Sequence, residues 1–88
     1  MDATIRADVV DFIVSNYLFG DASRKPQDGD SLVESGIVDS TGILELIEFL
    51  ESRFGIEVSE AETVPDNLDS VADLTRFVEE KQAVRDVA

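Results

Sequence analysis

The sequence predicts an all-α fold: a four-helix bundle with a long loop between helices one and two and a short third helix. Apolar residues recur at three- and four-residue steps in three stretches, glycine and proline mark where those stretches end, and no stretch has the pattern of a strand. The 88 residues, 43% of them hydrophobic, are enough for one small core. We therefore expect residues 1–88 to form a single domain, ordered over about 3–80, with a frayed tail at 81–88.

The first helix is predicted from about Ala3 to about Phe19. Asp2 or Thr4 can cap its start, and Gly20 can end it because glycine adopts the left-handed conformation at little cost. The apolar residues of one face are spaced by about one turn: Ile5, Val9, Phe12, Ile13 and Tyr17.

The segment from Asp21 to Asp39 is predicted to be a loop, because the periodicity disappears there and Pro26, Gly29 and Gly36 interrupt it. A loop of this length in so small a domain is usually functional or disordered. Its apolar residues predict instead that it is anchored over the core: Leu32, Val33, Ile37 and Val38. Gly36 either allows a close approach to the next helix or is an ordinary loop glycine.

The second helix is predicted to begin at Asp39 or Ser40, either of which is a good cap, and to end at about Phe54, before Gly55. Its core face is apolar at helical spacing, with Leu44 beside it: Ile43, Leu46, Ile47, Leu50 and Phe54.

The region after Gly55 is predicted to hold one short helix or two turns. Ser59 and Glu62 form a capping-box pattern, and Pro65 suits the first position of a short helix, which we favour, ending near Leu68. The last helix is capped by Asp69 or Ser70. Its buried stripe is predicted to be Val71, Leu74, Phe77 and Val78.

The charge of the chain restricts its partners. The formal net charge is −13, with 20 acidic and 7 basic residues, so the chain repels nucleic acid and anionic lipid and attracts basic protein surfaces. Cysteine and histidine are absent, which removes thiolate metal sites and the usual general base. No apolar run approaches the roughly 18 residues that span a membrane. We expect a monomeric, free-standing cytoplasmic protein with no catalytic residue and no metal site.

The most informative stretch runs from Gly36 to Leu46, where Asp39 and Ser40 precede an acidic amphipathic helix. Two further stretches share the likeness: Phe54-Gly55-Ile56-Glu57-Val58 and Leu68-Asp69-Ser70-Val71. From helix one through Phe77 the chain resembles the acyl carrier protein superfamily, whose signature is an Asp-Ser pair at the start of the second helix.

This resemblance implies an acyl-carrier-like bundle without enzymatic activity of its own. It implies that a phosphopantetheinyl transferase attaches 4′-phosphopantetheine from coenzyme A to Ser40. The arm would carry acyl or aminoacyl intermediates as thioesters to the enzymes of fatty-acid, polyketide, nonribosomal-peptide or related biosynthesis. Asp39 is implied to help place coenzyme A and its metal ion. Either residue could also be no more than a helix cap, although a helix N-terminus does favour an attached phosphate.

The acidic residues of the second helix are predicted to point outward. Glu45, Glu48 and Glu51 could be an ordinary solvated face. The resemblance instead implies a docking surface for basic patches on loading ligases and acyl-processing enzymes, with Thr41 and Leu44 as further contacts. Arg53 interrupts the acidic face and could tune the choice of partner.

Several alternatives stay open. Thr41 and Gly42 replace the Leu or Met that commonly follows the serine, which resembles carriers loaded by AMP-forming ligases, such as the D-alanyl carrier. The core stripe could open to hold an acyl chain. A calcium loop around Asp28, Asp30 and Asp39 is disfavoured. The EF-hand pattern requires an acidic or amide residue where the chain has Leu32 and a glycine where it has Val33. An unmodified helical interaction module is a further alternative.

Overall fold

The protein is helical throughout the region that its structure, a computed structural model, describes. That region is residues 3–87, without the side chains of Ser40 and of residues 84–87. It contains four α-helices, two 3₁₀ turns and no strand. The α-helices are α1 (Ala3–Tyr17), α2 (Ser40–Phe54), α3 (Pro65–Leu68) and α4 (Val71–Val87), and the 3₁₀ turns are Ala22–Arg24 and Glu60–Glu62. The predicted all-α class, long first loop and short third helix are confirmed.

The core lies around α4, which packs against each of the other three helices. Its buried apolar residues come from every helix and from the long loop: Ile5, Val9, Val10, Ile13, Leu18, Leu32, Val38, Leu46, Leu50, Ile56, Leu68, Val71, Leu74, Phe77 and Val78. The predicted stripe of α4 is buried in full, whereas the aromatic residues of α1 and α2 are only partly buried. The radius of gyration of 12.3 Å is close to the roughly 12 Å expected of a compact chain of this length.

The first helix ends two residues before the predicted boundary. Its start at Ala3 precedes Thr4, and the other predicted cap, Asp2, lies outside the described residues. At the other end, Phe19 and Gly20 both have left-handed backbones, with φ angles of 55° and 81°. The amide of Gly20 donates to the carbonyl of Val14 at 2.9 Å. This reversal of the backbone directs the chain into the long loop and leaves Phe19 94% exposed.

The second and third helices begin and end at the predicted signals. Gly55 has a φ of 67° and donates its amide to the Glu51 carbonyl at 3.0 Å, which terminates α2. Ser59 caps the second 3₁₀ turn with a complete capping box, and Pro65 occupies the first turn of α3. The segment after Gly55 therefore holds the favoured short helix after Pro65, preceded by one 3₁₀ turn at the capping box.

The last helix is longer than predicted. Ser70, and not Asp69, is its cap, because the Ser70 hydroxyl accepts a hydrogen bond from the Asp73 amide at 3.0 Å. The helix then continues to Val87, past the expected end at about residue 80. Lys81 pairs with Glu62 at 2.9 Å, which gives the helix a contact beyond the end of its apolar stripe. Ala88 lies outside the described residues.

The long loop is held by Asp69, at the junction of α3 and α4. The Asp69 carboxylate accepts hydrogen bonds from the Ser31 hydroxyl at 2.6 Å and the Val33 amide at 3.1 Å. Its carbonyl accepts from the Leu32 amide at 2.7 Å. Leu32 and Val38 are buried as predicted, but Val33 is 52% exposed and is not an anchor, because its neighbour Leu32 takes the inward position.

A second anchor lies earlier in the loop, at Asp28. Its carbonyl accepts from the Ala72 amide at 2.9 Å, and its carboxylate pairs with Arg6 at 2.7 Å. The hydrogen bond from Arg6 lowers the pKa of Asp28 below its ordinary value. Gly36 makes no close approach: nothing lies within 4 Å of where its Cβ would stand, and its φ of 79° is what favours glycine there.

None of the described helices is both long and apolar enough to cross a membrane.

Replacing Asp69 by alanine is expected to destabilise the fold. The substitution leaves the Ser31 hydroxyl and the Val33 amide without their acceptor, so the free energy of unfolding should fall by about 1–3 kcal/mol. Urea denaturation measures the change. The matched control is Asp11→Ala, which removes the same charge from the exposed face of α1 and should change stability by no more than about 0.5 kcal/mol. Equal effects of the two variants would contradict the anchoring role.

Candidate functional site

Ser40 is the first residue of α2, at the point where the anchored loop meets the helix. Asp39 is the N-cap: its backbone is extended and its carboxylate accepts a hydrogen bond from the Gly42 amide at 2.7 Å. The residues on either side of Ser40, Asp39 and Thr41, are exposed. The direction of the Ser40 side chain is outside what the structure describes. Its backbone position nevertheless places it on a surface segment of the molecule.

The start of α2 has the electrostatics of a helix N-terminus. The first amides of a helix have no carbonyl one turn earlier to bind, and the helix dipole has its positive end there. Asp39 binds the Gly42 amide, and the amides of Ser40 and Thr41 have no acceptor within the helix. Such a terminus favours a phosphate group close to it. The backbone at Ser40 therefore fits the phosphodiester of a phosphopantetheine arm.

Tyr17 contacts this helix terminus, which the sequence did not indicate. Its hydroxyl donates to the Gly42 carbonyl at 2.9 Å and lies 3.5 Å from a carboxylate oxygen of Glu45. Burial raises the pKa of Tyr17 to about 12, and the negative charges of Glu45 and Asp39 act in the same direction. The periodicity of α1 placed Tyr17 on the core stripe and could not show which residue its hydroxyl reaches.

Gly42 is the signal in the sequence that could have indicated this contact. A Cβ at this position would stand 3.0 Å from Val38 Cγ1 and 3.2 Å from Tyr17 Cε1, closer than side chains normally pack. A glycine in the first turn of a helix thus permits a close approach by α1 and the loop. Packing against Val38 and Tyr17 is therefore one reason for a glycine at position 42. That Gly42 indicates loading by an AMP-forming ligase stays a prediction.

The acidic residues of α2 do not share one environment. Glu45 and Glu48 are exposed, as predicted. Glu51 is half-buried and its carboxylate accepts from the Val58 amide at 3.0 Å, so the prediction that it points outward is wrong in part. Because Val58 follows the end of α2, Glu51 holds the returning chain. Arg53 pairs with Asp8 of α1 at 2.9 Å, so it serves to join the two helices.

A groove of about 430 Å³ lies between the long loop, α2 and α3. Its apolar lining is Val33, Ile43, Val64, Pro65 and Leu68, with Ser31, Glu34, Thr63 and Asp69 as polar neighbours. Ile43 follows Ser40 by three residues, so the groove begins within one helical turn of Ser40. Leu44, on the same helix, is 62% exposed.

The acidic residues considered for calcium do not form a site. Asp28 is paired with Arg6, Asp30 accepts from the Gln27 amide, and Asp39 caps α2. In the part of the chain that the structure describes, no three acidic, histidine or cysteine side chains are grouped to hold a metal ion.

The folded state should resist ionisation of Tyr17. Unfolded tyrosine titrates near pH 10, whereas the pKa of Tyr17 is raised to about 12. The stability that comes from this shift should therefore be fully present below about pH 10 and lost as the pH rises toward about 12. The chain has one tyrosine and no tryptophan, so tyrosinate absorbance reports Tyr17 alone. Glu45→Gln should lower the midpoint. Identical midpoints for the folded and the urea-unfolded chain would contradict the burial of this hydroxyl.

Comparisons with known proteins place no established family on this arrangement. No protein-family model matches the chain, and no curated protein sequence matches it either. The function must therefore be inferred from the position of Ser40, the contacts that hold α2 and the groove beside it.

Proposed function

We propose that the protein is a carrier that holds acyl or aminoacyl groups as thioesters on a 4′-phosphopantetheine arm at Ser40. The observation that carries this proposal is the position of Ser40. It opens α2 directly after an exposed acidic cap, at the end of a loop that two anchors hold to the core. Because both neighbours of Ser40 are exposed, we propose that this position is accessible to another enzyme. The anchored loop and α2 give the position a structured support.

The attachment is a phosphoryl transfer that the transferase would catalyse. The Ser40 hydroxyl oxygen forms a bond to the coenzyme A phosphorus that bears pantetheine, and the pyrophosphate bond breaks. Adenosine 3′,5′-bisphosphate leaves, and the serine proton passes to a base of the transferase. The positive end of α2 favours the new phosphodiester, while Asp39, exposed beside Ser40, is proposed to help place coenzyme A and its metal ion.

The composition of the chain agrees with a carrier. Cysteine and histidine are absent, so the chain offers neither a thiol nor an imidazole for acyl transfer. The bound arm would supply the thiol on which the cargo is carried. The protein's own part is to hold the arm where successive enzymes reach it, which raises the effective concentration of the cargo at each of them.

The groove beside α2 supports the same proposal. Its lining residues Ile43, Val64 and Leu68 offer apolar surface within one turn of Ser40. We propose that the arm or a small cargo rests against this surface. The nature of the cargo follows from the loading enzyme, and an aminoacyl group loaded by an AMP-forming ligase is the alternative that the Thr41-Gly42 sequence favours.

The exposed part of α2 is proposed as the docking surface. Glu45 and Glu48 present negative charge on consecutive turns, with Thr41 and Leu44 exposed on the same helix. Glu51 contributes less, because its carboxylate already binds Val58. A net charge of −13 would speed the approach of partners with basic surfaces, while each exposed ion pair adds little affinity.

Modification at Ser40 is testable by intact-protein mass spectrometry. After incubation with coenzyme A and a broad-specificity phosphopantetheinyl transferase, the wild-type chain should gain one phosphopantetheine. Ser40→Ala should gain none while keeping its helical circular dichroism. Ser52→Ala, the same substitution in the last turns of α2, should be modified like the wild type. A wild-type chain that stays unmodified would refute the proposal and leave an unmodified interaction module.

Reversing the charge at the docking surface is expected to slow the modification. Glu45→Lys with Glu48→Lys should lower the second-order rate about tenfold or more at low ionic strength, because the variant loses long-range attraction. The control, Glu57→Lys with Glu60→Lys, makes the same charge change beyond the other end of α2. Added salt should reduce the difference in rate between the wild type and the Glu45→Lys, Glu48→Lys variant. Equal rates for the two double variants would show that only net charge matters.

A further inference from the structure

One polar contact joins the end of α1 to the start of α2. Tyr17 is the last residue of α1, and its hydroxyl donates to the carbonyl of Gly42, two residues after Ser40, at 2.9 Å. Among the described hydrogen bonds, this one reaches the first turn of α2 from another helix. The contact therefore ties the segment that carries Ser40 to a helix that takes no part in the proposed docking surface.

The surroundings of Tyr17 hold its ring in place. The ring of Phe12 packs edge-on against it, with centroids 5.8 Å apart, and Phe12 in turn stacks on Phe49 of α2 at 4.1 Å. On the other side, the missing side chain of Gly42 leaves just enough room, since a Cβ there would be 3.2 Å from the ring. The hydroxyl is thus presented to α2 by packing from both helices.

We propose that Tyr17 is a positioning residue for the modification of Ser40. The inference rests on the proposed carrier function. The first amides of α2 have no partner within the helix, so its first turn can fray. The hydroxyl of Tyr17 binds the Gly42 carbonyl and so tethers this turn to α1, which restricts the directions in which Ser40 meets a transferase. Removing the hydroxyl breaks this bond and the longer 3.5 Å contact with Glu45, but it leaves the charges of Glu45 and Glu48 in place for docking. The fraction of docked molecules that react should therefore fall.

The test is the kinetics of phosphopantetheine transfer to Tyr17→Phe. This variant keeps the ring and loses only the hydroxyl. We expect kcat to fall about five- to tenfold, the factor that one hydrogen bond of ordinary strength supports, with KM for the carrier nearly unchanged. The matched control is Thr75→Val. Thr75 is fully buried and its hydroxyl donates to the Val71 carbonyl at 2.8 Å, inside α4, so the control loses a bond of the same kind elsewhere.

Hydrogen exchange and a second variant test the same contact independently of the rate measured for Tyr17→Phe. Amide hydrogen exchange in the first two turns of α2 should be faster in Tyr17→Phe than in the wild type, and unchanged in Thr75→Val. Gly42→Ala should also lower kcat, because its methyl group would displace Val38, 3.0 Å away, and the ring of Tyr17, 3.2 Å away. This second variant is informative because alanine favours a helix more than glycine does, so a lower kcat could not come from weaker helix propensity.

The outcomes separate this inference from the proposed function. A wild-type chain that is modified while Tyr17→Phe reacts equally fast overturns the positioning role and leaves the carrier function standing. Equal losses in Tyr17→Phe and Thr75→Val overturn it too, because they would reflect stability. A raised KM at unchanged kcat would make Tyr17 a contact of the partner instead. A wild-type chain that is never modified overturns both proposals.

Discussion

The attachment of the long loop to the α3–α4 junction is the constraint on which the site depends. The loop between α1 and α2 has no helix beyond the single 3₁₀ turn Ala22–Arg24, yet it must deliver Asp39 to a defined place. The hydrogen bonds of Asp69 to Ser31, Leu32 and Val33 replace the regular backbone pairing that the loop lacks. Leu32 and Val38 add burial on either side of them. Without these contacts α2 could still form, but its first residue would not be held in a defined position relative to the core.

The three longer helices were predictable because each buries one stripe, and a stripe is visible as local spacing. The ends of α2 were predictable for the same reason, since Asp39 and Gly55 act on amides and carbonyls a few residues away. The contacts that hold the site are not local. The pairs Arg6–Asp28, Tyr17–Gly42 and Ser31–Asp69 span 22, 25 and 38 residues. No periodicity reports which polar side chain will meet which partner across such distances.

The acidic composition divides into two roles that the sequence could not separate. Several carboxylates are used inside the fold, among them those of Asp28 and Glu62, whose pKa values are lowered by hydrogen bonds from Arg6 and Lys81. Glu51 looked like part of an outward strip but binds the chain that returns after α2. Among the carboxylates that the structure describes, the exposed ones, including Glu45 and Glu48, can meet a partner. The net charge therefore overestimates the number of carboxylates that can take part in docking. The position of each carboxylate decides whether it belongs to the docking surface.

Gly42 connects the packing of the fold to the chemistry proposed for Ser40. A glycine in a helix is less favourable than alanine by about 1 kcal/mol, and here it stands in the turn that would carry the arm. The close approach of Val38 and Tyr17 offsets this cost, because a larger residue would push both away. The same approach brings the Tyr17 hydroxyl to the Gly42 carbonyl. Gly42 leaves room for the ring of Tyr17, and the hydroxyl of Tyr17 stabilises the turn that the glycine weakens.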